Sequence, residues 1–253
     1  MQDVTKEKSV DIDIFGATDI GKVRKVNQDS FTFDVDDRYL VVCDGIGGRK
    51  SGDVASKMAA EGLGEKIAKN GPISESNVSN FLSNSVDKVN KAIVKNGLAD
   101  QAHEGMATTL NAIYFTDKRA YVAHLGDSRT YLYYEDNLWQ LTFDHNVKNY
   151  VEKGWLSKDA LVKNSKPDAL VRAIGLTEQC DIDVYELDLK EEFILITCSD
   201  GLTGMVDDST IKDIVSRYTE KLHVLPGRLI KEANDNGGMD NITVVVSRVR
   251  SAA

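Results

Sequence analysis

Short apolar runs, each closed off by glycine or charged residues, recur along the 253-residue chain. Such runs read as buried strands. They predict strands at Val10–Phe15, where apolar and polar residues alternate, and at Ser30–Phe33, Arg38–Cys43, Leu110–Phe115, Ala120–Leu125 and Arg129–Tyr134. A short strand is expected at Leu138–Leu141, and three more at Asp181–Leu187, Phe193–Thr197 and Ile242–Val249. Between them the period lengthens to that of a helix. Asp53–Lys69 is expected to bury a face containing Val54, Met58 and Leu63, and Ser74–Lys95 one containing Val78, Phe81, Leu82, Val89 and Ile93. Gly71-Pro72 marks the turn between them. Asp208–Tyr218 and Leu225–Asn234 read as a second helical pair. Asp144–Gly175 is polar, weakly periodic and broken at Pro167, so it reads as a small helical insertion over the sheet surface. Strands in runs and helices in pairs predict an antiparallel α+β layered fold rather than alternating βαβ units.

Four of the apolar runs touch an aspartate at one end: Tyr39–Asp44, Tyr121–Asp127, Phe193–Asp200 and Asp240–Val246. An Asp-Gly pair is by itself a turn signal. Four carboxylates at the ends of buried strands are different, because clustered like charges at a dry edge repel and lose hydration. A hard divalent cation among them removes that penalty, and oxygen ligands suit Mg²⁺ or Mn²⁺ rather than zinc. Gly45-Ile-Gly-Gly48 fails both nucleotide-loop patterns, since Lys50 stands where a last glycine is needed and Arg49 follows Gly48. Its expected use is close backbone approach, with the Gly45 carbonyl free to ligate a metal. Arg24 reads either as a solvated surface charge or as a fork for phosphate oxygens. None of the four histidines pairs with another as a ligand, and His124 reads as a packed core residue.

Composition narrows the class. A 42% hydrophobic content over this length builds a core without disulfides, as one large domain or two small ones. The net charge of -9 disfavours nucleic acid and acidic membrane surfaces as partners. Three cysteines without a CxxC spacing point to a reducing compartment, and Cys43 and Cys198 read as small buried hydrophobes. The charged opening Met1–Lys8 lacks a secretory apolar core, and no apolar stretch is long enough to span a bilayer, so a cytoplasmic protein is expected.

The residues resemble the metal-dependent protein phosphatase family, also called type 2C, in its compact bacterial form. The likeness runs from Phe15 to Arg248 through Arg24–Asp29, Val42–Gly48, Ser51–Ser56, Met106–Leu110, Gly126–Arg129, Leu141–His145, Arg172–Gly175, Cys198–Leu202 and Gly238–Asn241. It implies one catalytic domain over 1–253, a four-layer α-β-β-α sandwich of two antiparallel sheets flanked by helices, with a mobile flap over about 144–176. It implies a two-metal centre of Mn²⁺ or Mg²⁺ at one edge. Asp44 is expected to bridge both ions, with the Gly45 carbonyl, Asp200 and Asp240 completing the ligands. Asp127 is expected to join Asp200 in holding a third, weaker ion, and Arg24 to bind the substrate phosphate. Arg24, Asp44, Asp200 and Asp240 form the implied catalytic set.

Several positions depart from the family pattern. Gln28 stands in place of a glutamate that touches metal-bound water, which passes outer-shell duty to Asp29 as well. Ile46 stands in place of a histidine acid, Arg49 puts a fixed charge at the pocket mouth, and Ala107 replaces a glycine. The implied activity is hydrolysis of phosphoserine and phosphothreonine by water activated between the ions. Water on the metals is the expected donor to the leaving oxygen, with His145 as the fallback. Phosphorylated proteins and a cognate Ser/Thr kinase are the expected partners of a monomer. A weakly active or inactive scaffold that binds a phosphoprotein is the alternative reading, and a metallonuclease a third that the acid excess disfavours.

Overall fold

A computed structural model describes residues 10–46, 51–163 and 167–250. Gly47 and Gly48 of the glycine-rich run, and the expected charge of Arg49, lie outside the described residues. Among these residues ten strands are paired into two five-stranded antiparallel sheets. One has the order β1 (Asp11–Asp19), β10 (Ile242–Arg250), β9 (Phe193–Cys198), β6 (Arg129–Tyr134), β7 (Asn137–Gln140). The other runs β2 (Asp29–Asp34), β3 (Tyr39–Asp44), β4 (Leu110–Phe115), β5 (Arg119–Leu125), β8 (Asp183–Asp188). The antiparallel α+β layering expected from the strand and helix pattern is observed, as is the two-sheet sandwich that the resemblance implied.

Uniformly apolar strands arise because both faces of each sheet are covered. In β3, Leu40 and Val42 join Phe193, Leu195, Val245 and others in a layer between the sheets. Val41 and Cys43, pointing the other way, pack under α1 (Gly52–Asn70) and α2 (Glu75–Ala99). In β10 the same alternation sends Val245 and Val249 inward, and Val244 and Val246 towards α6 (Asp208–Tyr218) and α7 (Leu225–Asp235). A period of two with both sides dry leaves no polar positions to mark the faces.

Several details differ from the expected pattern, and β1, expected to end at Phe15, runs on to Asp19. In α1 the buried face is Ala55, Ala59, Ala60, Leu63 and Ile67, while Val54 and Met58 are only partly buried. Small side chains let this helix lie close against β2 and β3, so the largest apolar residues are not the most central ones. The helix over Ser74–Lys95 continues to Ala99. The 144–176 segment contains α3 (Val147–Glu152) and α4 (Asp159–Lys163), but Asp144 and His145 are buried rather than overlying the sheet. The returning chain pairs with the outgoing one, with Val147 N–H donating to Ala169 O at 3.0 Å and Val171 N–H to His145 O at 2.9 Å. Phe143, Tyr150 and Trp155 pack against one another with ring centroids 5.1–6.1 Å apart, Trp155 lying exposed on the outside. Among the described residues no helix is long and apolar enough to cross a membrane.

Candidate active site

One end of the sandwich gathers the aspartates. The register pairs Asp29 with Asp44 across β2 and β3, and Arg129 and Val244 both with Cys198. The end of β3, the end of β5, the end of β9 and the start of β10 therefore lie on one edge. Two close approaches set the details. A Cβ on Gly45 would lie 2.3 Å from Gly52 O, so only glycine lets the start of α1 meet the end of β3. A Cβ on Gly201 would lie 1.9 Å from Asn241 O, so glycine there also lets the Asp200 turn, α5 (Asp200–Thr203), touch the loop that carries Asp240.

The resulting cavity of about 500 Å³ is lined by Arg24, Asp44, Gly45, Ile46, Thr109, Asp127, Asp200 and Asp240 on one side. Pro167, Asp168, Ala169, Leu170 and Leu176 of the insertion complete it. Every residue expected as a metal ligand or as the phosphate arginine thus faces one space. Among the described residues no three potential ligands already converge on a single point. They pair instead: Asp44 and Asp200 lie within hydrogen-bonding reach of each other, and Arg24 Nη2 donates to Asp240 Oδ2 at 2.5 Å.

These carboxylates are electrostatically strained. Burial, and then the charges of Asp29, Asp200 and Asp127, hold Asp44 well above the usual carboxylate range. Burial and the charge of Asp200 push Asp127 up to about 8. Asp200 is raised mainly by burial, although its contact with Asp44 works the other way. Burial takes Asp29 up to about 7 against the opposing hydrogen bonds of Thr243 and Ser199. Ser199 Oγ donates to Asp29 Oδ2 at 2.7 Å, while buried Asp29 Oδ1 has no partner. Buried acids lining one cavity, with Asp29 paired beside Asp44, are a donor set that divalent cations and their water satisfy.

The surrounding scaffold was only partly foreseen. Thr109 Oγ1 accepts from Asp44 N–H at 2.9 Å, Thr109 N–H donates to Asp44 O at 2.9 Å, and Thr108 Oγ1 donates to the same oxygen at 2.8 Å. No role was expected of either threonine, because hydroxyl–backbone clamps leave no periodic signal. Gln28 is absent from the cavity lining; its N–H donates to Asn241 Oδ1 at 2.8 Å and its carbonyl accepts from Gly45 N–H at 3.0 Å. Asp168 is a fifth aspartate of the cavity that sequence reasoning did not single out, since it stands in the irregular part of the insertion.

His145 is not where a proton donor must be. Its side chain is fully buried behind Gly126, whose N–H donates to Nδ1 at 3.0 Å, and Nε2 donates to Asp183 at 2.9 Å. Burial and Arg172 lower its pKa. The fallback role expected of it is therefore withdrawn: both ring nitrogens are used in positioning the Gly126–Asp127 turn. His124 is a core residue as expected, donating from Nε2 to Phe143 O at 2.9 Å. Cys43 and Cys198 are buried free thiols.

Known proteins share this arrangement. A family profile described as Protein phosphatase 2C matches residues 22–242. Serine/threonine phosphatase stp of Listeria innocua is 33% identical over 237 residues, covering 90% of this chain and 92% of that protein. Protein phosphatase PhpP of Streptococcus pneumoniae is 32% identical over 236 residues, covering 90% and 94%. The catalytic domain of the serine threonine protein phosphatase PstP, solved in complex with two manganese ions, has a TM-score of 0.82 at 30% identity over 96% of this chain and 99% of that one. The chain belongs to the protein phosphatase 2C family, a family of metal-dependent protein phosphatases.

Proposed function

We propose that the chain hydrolyses phosphoserine and phosphothreonine in proteins, using two Mn²⁺ or Mg²⁺ ions held at the cavity floor. Asp44, the Gly45 carbonyl, Asp200 and Asp240 would hold them, and Asp127 with Asp200 would hold a third ion more weakly. The observation that carries the reading is the set of burial-strained carboxylates facing Arg24 in one cavity. The manganese-containing relative with the same fold supports it. When bound, the ions supply Lewis acidity, which neutralises charge on the phosphoryl oxygens and acidifies water to a usable nucleophile.

The chain's own residues do the rest. Arg24, 40% exposed at the rim, offers its guanidinium fork to two non-bridging phosphate oxygens. Asp29 lies across from Asp44 in the β2–β3 register, outside the cavity lining, where its buried charge acts on Asp44 and Ser199 and Thr243 fix its carboxylate. Thr108 and Thr109 hold the Asp44 backbone still, so little reorganisation accompanies charge transfer. Gln28 acts through the backbone that ties Gly45 to Asn241. The leaving oxygen takes its proton from water in the open cavity, since His145 is sequestered. The insertion over 144–176 walls the cavity and acts as its flap. The substrates are phosphorylated proteins of a Ser/Thr kinase pathway in the cytoplasm.

The test is turnover of a phosphothreonine peptide by the full chain with and without Mn²⁺. Release of phosphate that EDTA abolishes, and that Asp44→Asn abolishes, is expected. Undiminished hydrolysis after exhaustive chelation would overturn the reading.

A further inference from the structure

Exposed apolar side chains are unevenly spread over the surface. Among the described residues eight large ones are exposed, and four of them, Ile20, Val23, Val26 and Met239, belong to the two loops carrying Arg24 and Asp240. Val23, Val26 and Met239 are each more than half exposed, at 55%, 56% and 55%. The two loops form one braced body. Lys22 N–H donates to Gly238 O at 2.7 Å, and the Asn241 side-chain amide donates to Ile20 O and Val26 O, both at 3.0 Å. Arg24 and Asp240 close the same contact on the cavity side. Single exposed aliphatics are ordinary, but a braced group at the rim of a catalytic cavity marks an interaction surface.

Charge is balanced at this rim. The first loop carries exposed Lys22, Arg24 and Lys25, but Asp240 pairs with Arg24, Asp235 stands beside Lys22 and Asp168 lines the facing wall. A phosphoester held at Arg24 puts the next two or three residues of an extended substrate, each rising about 3.3 Å, over this rim. We infer that Ile20, Val23, Val26 and Met239 form a docking rim for the polypeptide beside the phosphorylated residue, and that the rim takes aliphatic side chains there. Continuity with the Arg24 and Asp240 end of the cavity favours a substrate segment over a second copy of this chain. The inference rests on the phosphoprotein reading above and names a substrate preference that the reading does not contain.

Two phosphothreonine peptides, identical except for leucine or serine two residues to each side, test it alongside p-nitrophenyl phosphate. The Mn²⁺-loaded full chain is expected to favour the leucine peptide by about tenfold in kcat/KM. Val23→Ser with Val26→Ser, and separately Met239→Gln, are expected to bring that ratio towards one, with thermal melts reporting the fold of each variant. A ratio near one in the unaltered chain, or a ratio that persists in both variants, overturns the rim. Equal losses on both peptides and on p-nitrophenyl phosphate also overturn it, by assigning the loop to Arg24 placement. Self-association in sedimentation that the double variant abolishes would assign the rim to a second copy, against the inference. Failure of the unaltered chain on all three compounds would instead remove the phosphatase reading, and the rim with it.

Discussion

Arg24 Nη2 donates to Asp240 Oδ2 at 2.5 Å, joining residues 216 positions apart at the rim of the carboxylate cavity. The Asp240 hydrogen bond raises the guanidinium pKa further, so the arginine is a permanent cation. Its fork binds phosphate in the ground state and in the transition state alike. Arg24→Ala is expected to raise KM for p-nitrophenyl phosphate roughly 10–100-fold, as for a lost charged hydrogen bond, with kcat within about threefold. Steady-state kinetics decide it; a large fall in kcat at constant KM would contradict the assignment.

Asp44 is held far above its ordinary pKa in the ion-free protein, so its charge opposes folding there. Asp44→Asn is expected to raise the ion-free melting temperature by roughly 2–4 °C, as for about 1 kcal/mol in a chain of this size. The same variant loses both the Mn²⁺-induced rise in melting temperature and turnover. Melts in EDTA and in MnCl₂ read both effects, and a variant that Mn²⁺ still stabilises fully would remove Asp44 from the ligands.

Asp127 faces the cavity beside Asp200 but comes from the β5–β6 turn. Asp127→Ala is expected to leave two tightly bound ions in calorimetry and to lower kcat. Loss of both tight ions would move Asp127 into the principal site.

Gly201 touches the Asn241 carbonyl with no room for a methyl group. Gly201→Ala is expected to cost about 3 kcal/mol in urea unfolding, because backbone on both sides must move. It should also weaken Mn²⁺ binding by separating Asp200 from Asp240. Unchanged ion affinity would show that the two loops are set independently.

His124 is fully buried, and burial followed by the neighbouring His145 lowers its pKa from 6.5 to about 3. Between those values the unfolded chain binds a proton that the folded chain refuses. Stability is therefore complete above about pH 6.5 and is lost as pH falls, by about 2 kcal/mol at pH 5. The raised pKa values of Asp29 and Asp127 work in the opposite direction in ion-free protein, so the comparison is with His124→Gln. The unaltered chain is expected to lose about 2 kcal/mol more than the variant between pH 7.5 and 5 in urea titrations. Equal losses would remove His124 as the cause.

The strands were legible because each is an apolar run long enough to cross one sheet, and Leu110–Phe115, Arg129–Tyr134 and Asp208–Tyr218 begin and end where the pattern places them. The candidate site was legible to the extent that its aspartates adjoin those runs. The Thr108 and Thr109 clamp was not, because hydroxyl-to-backbone bonds depend on where another strand passes. Nor was the sequestration of His145, which follows from contacts with Gly126 in the β5–β6 turn and Asp183 at the start of β8.

The sequence by itself determined which residues are strand and helix and which carboxylates stand at strand ends, because local period and turn chemistry act within a few positions of the chain. Only the tertiary structure decided that Asp44, Asp127, Asp200 and Asp240 share one cavity with Arg24, that Asp168 joins them, and that His145 does not. Those relations depend on which strands neighbour each other and in what register, and burial within the assembled sandwich then gives the carboxylates their strain.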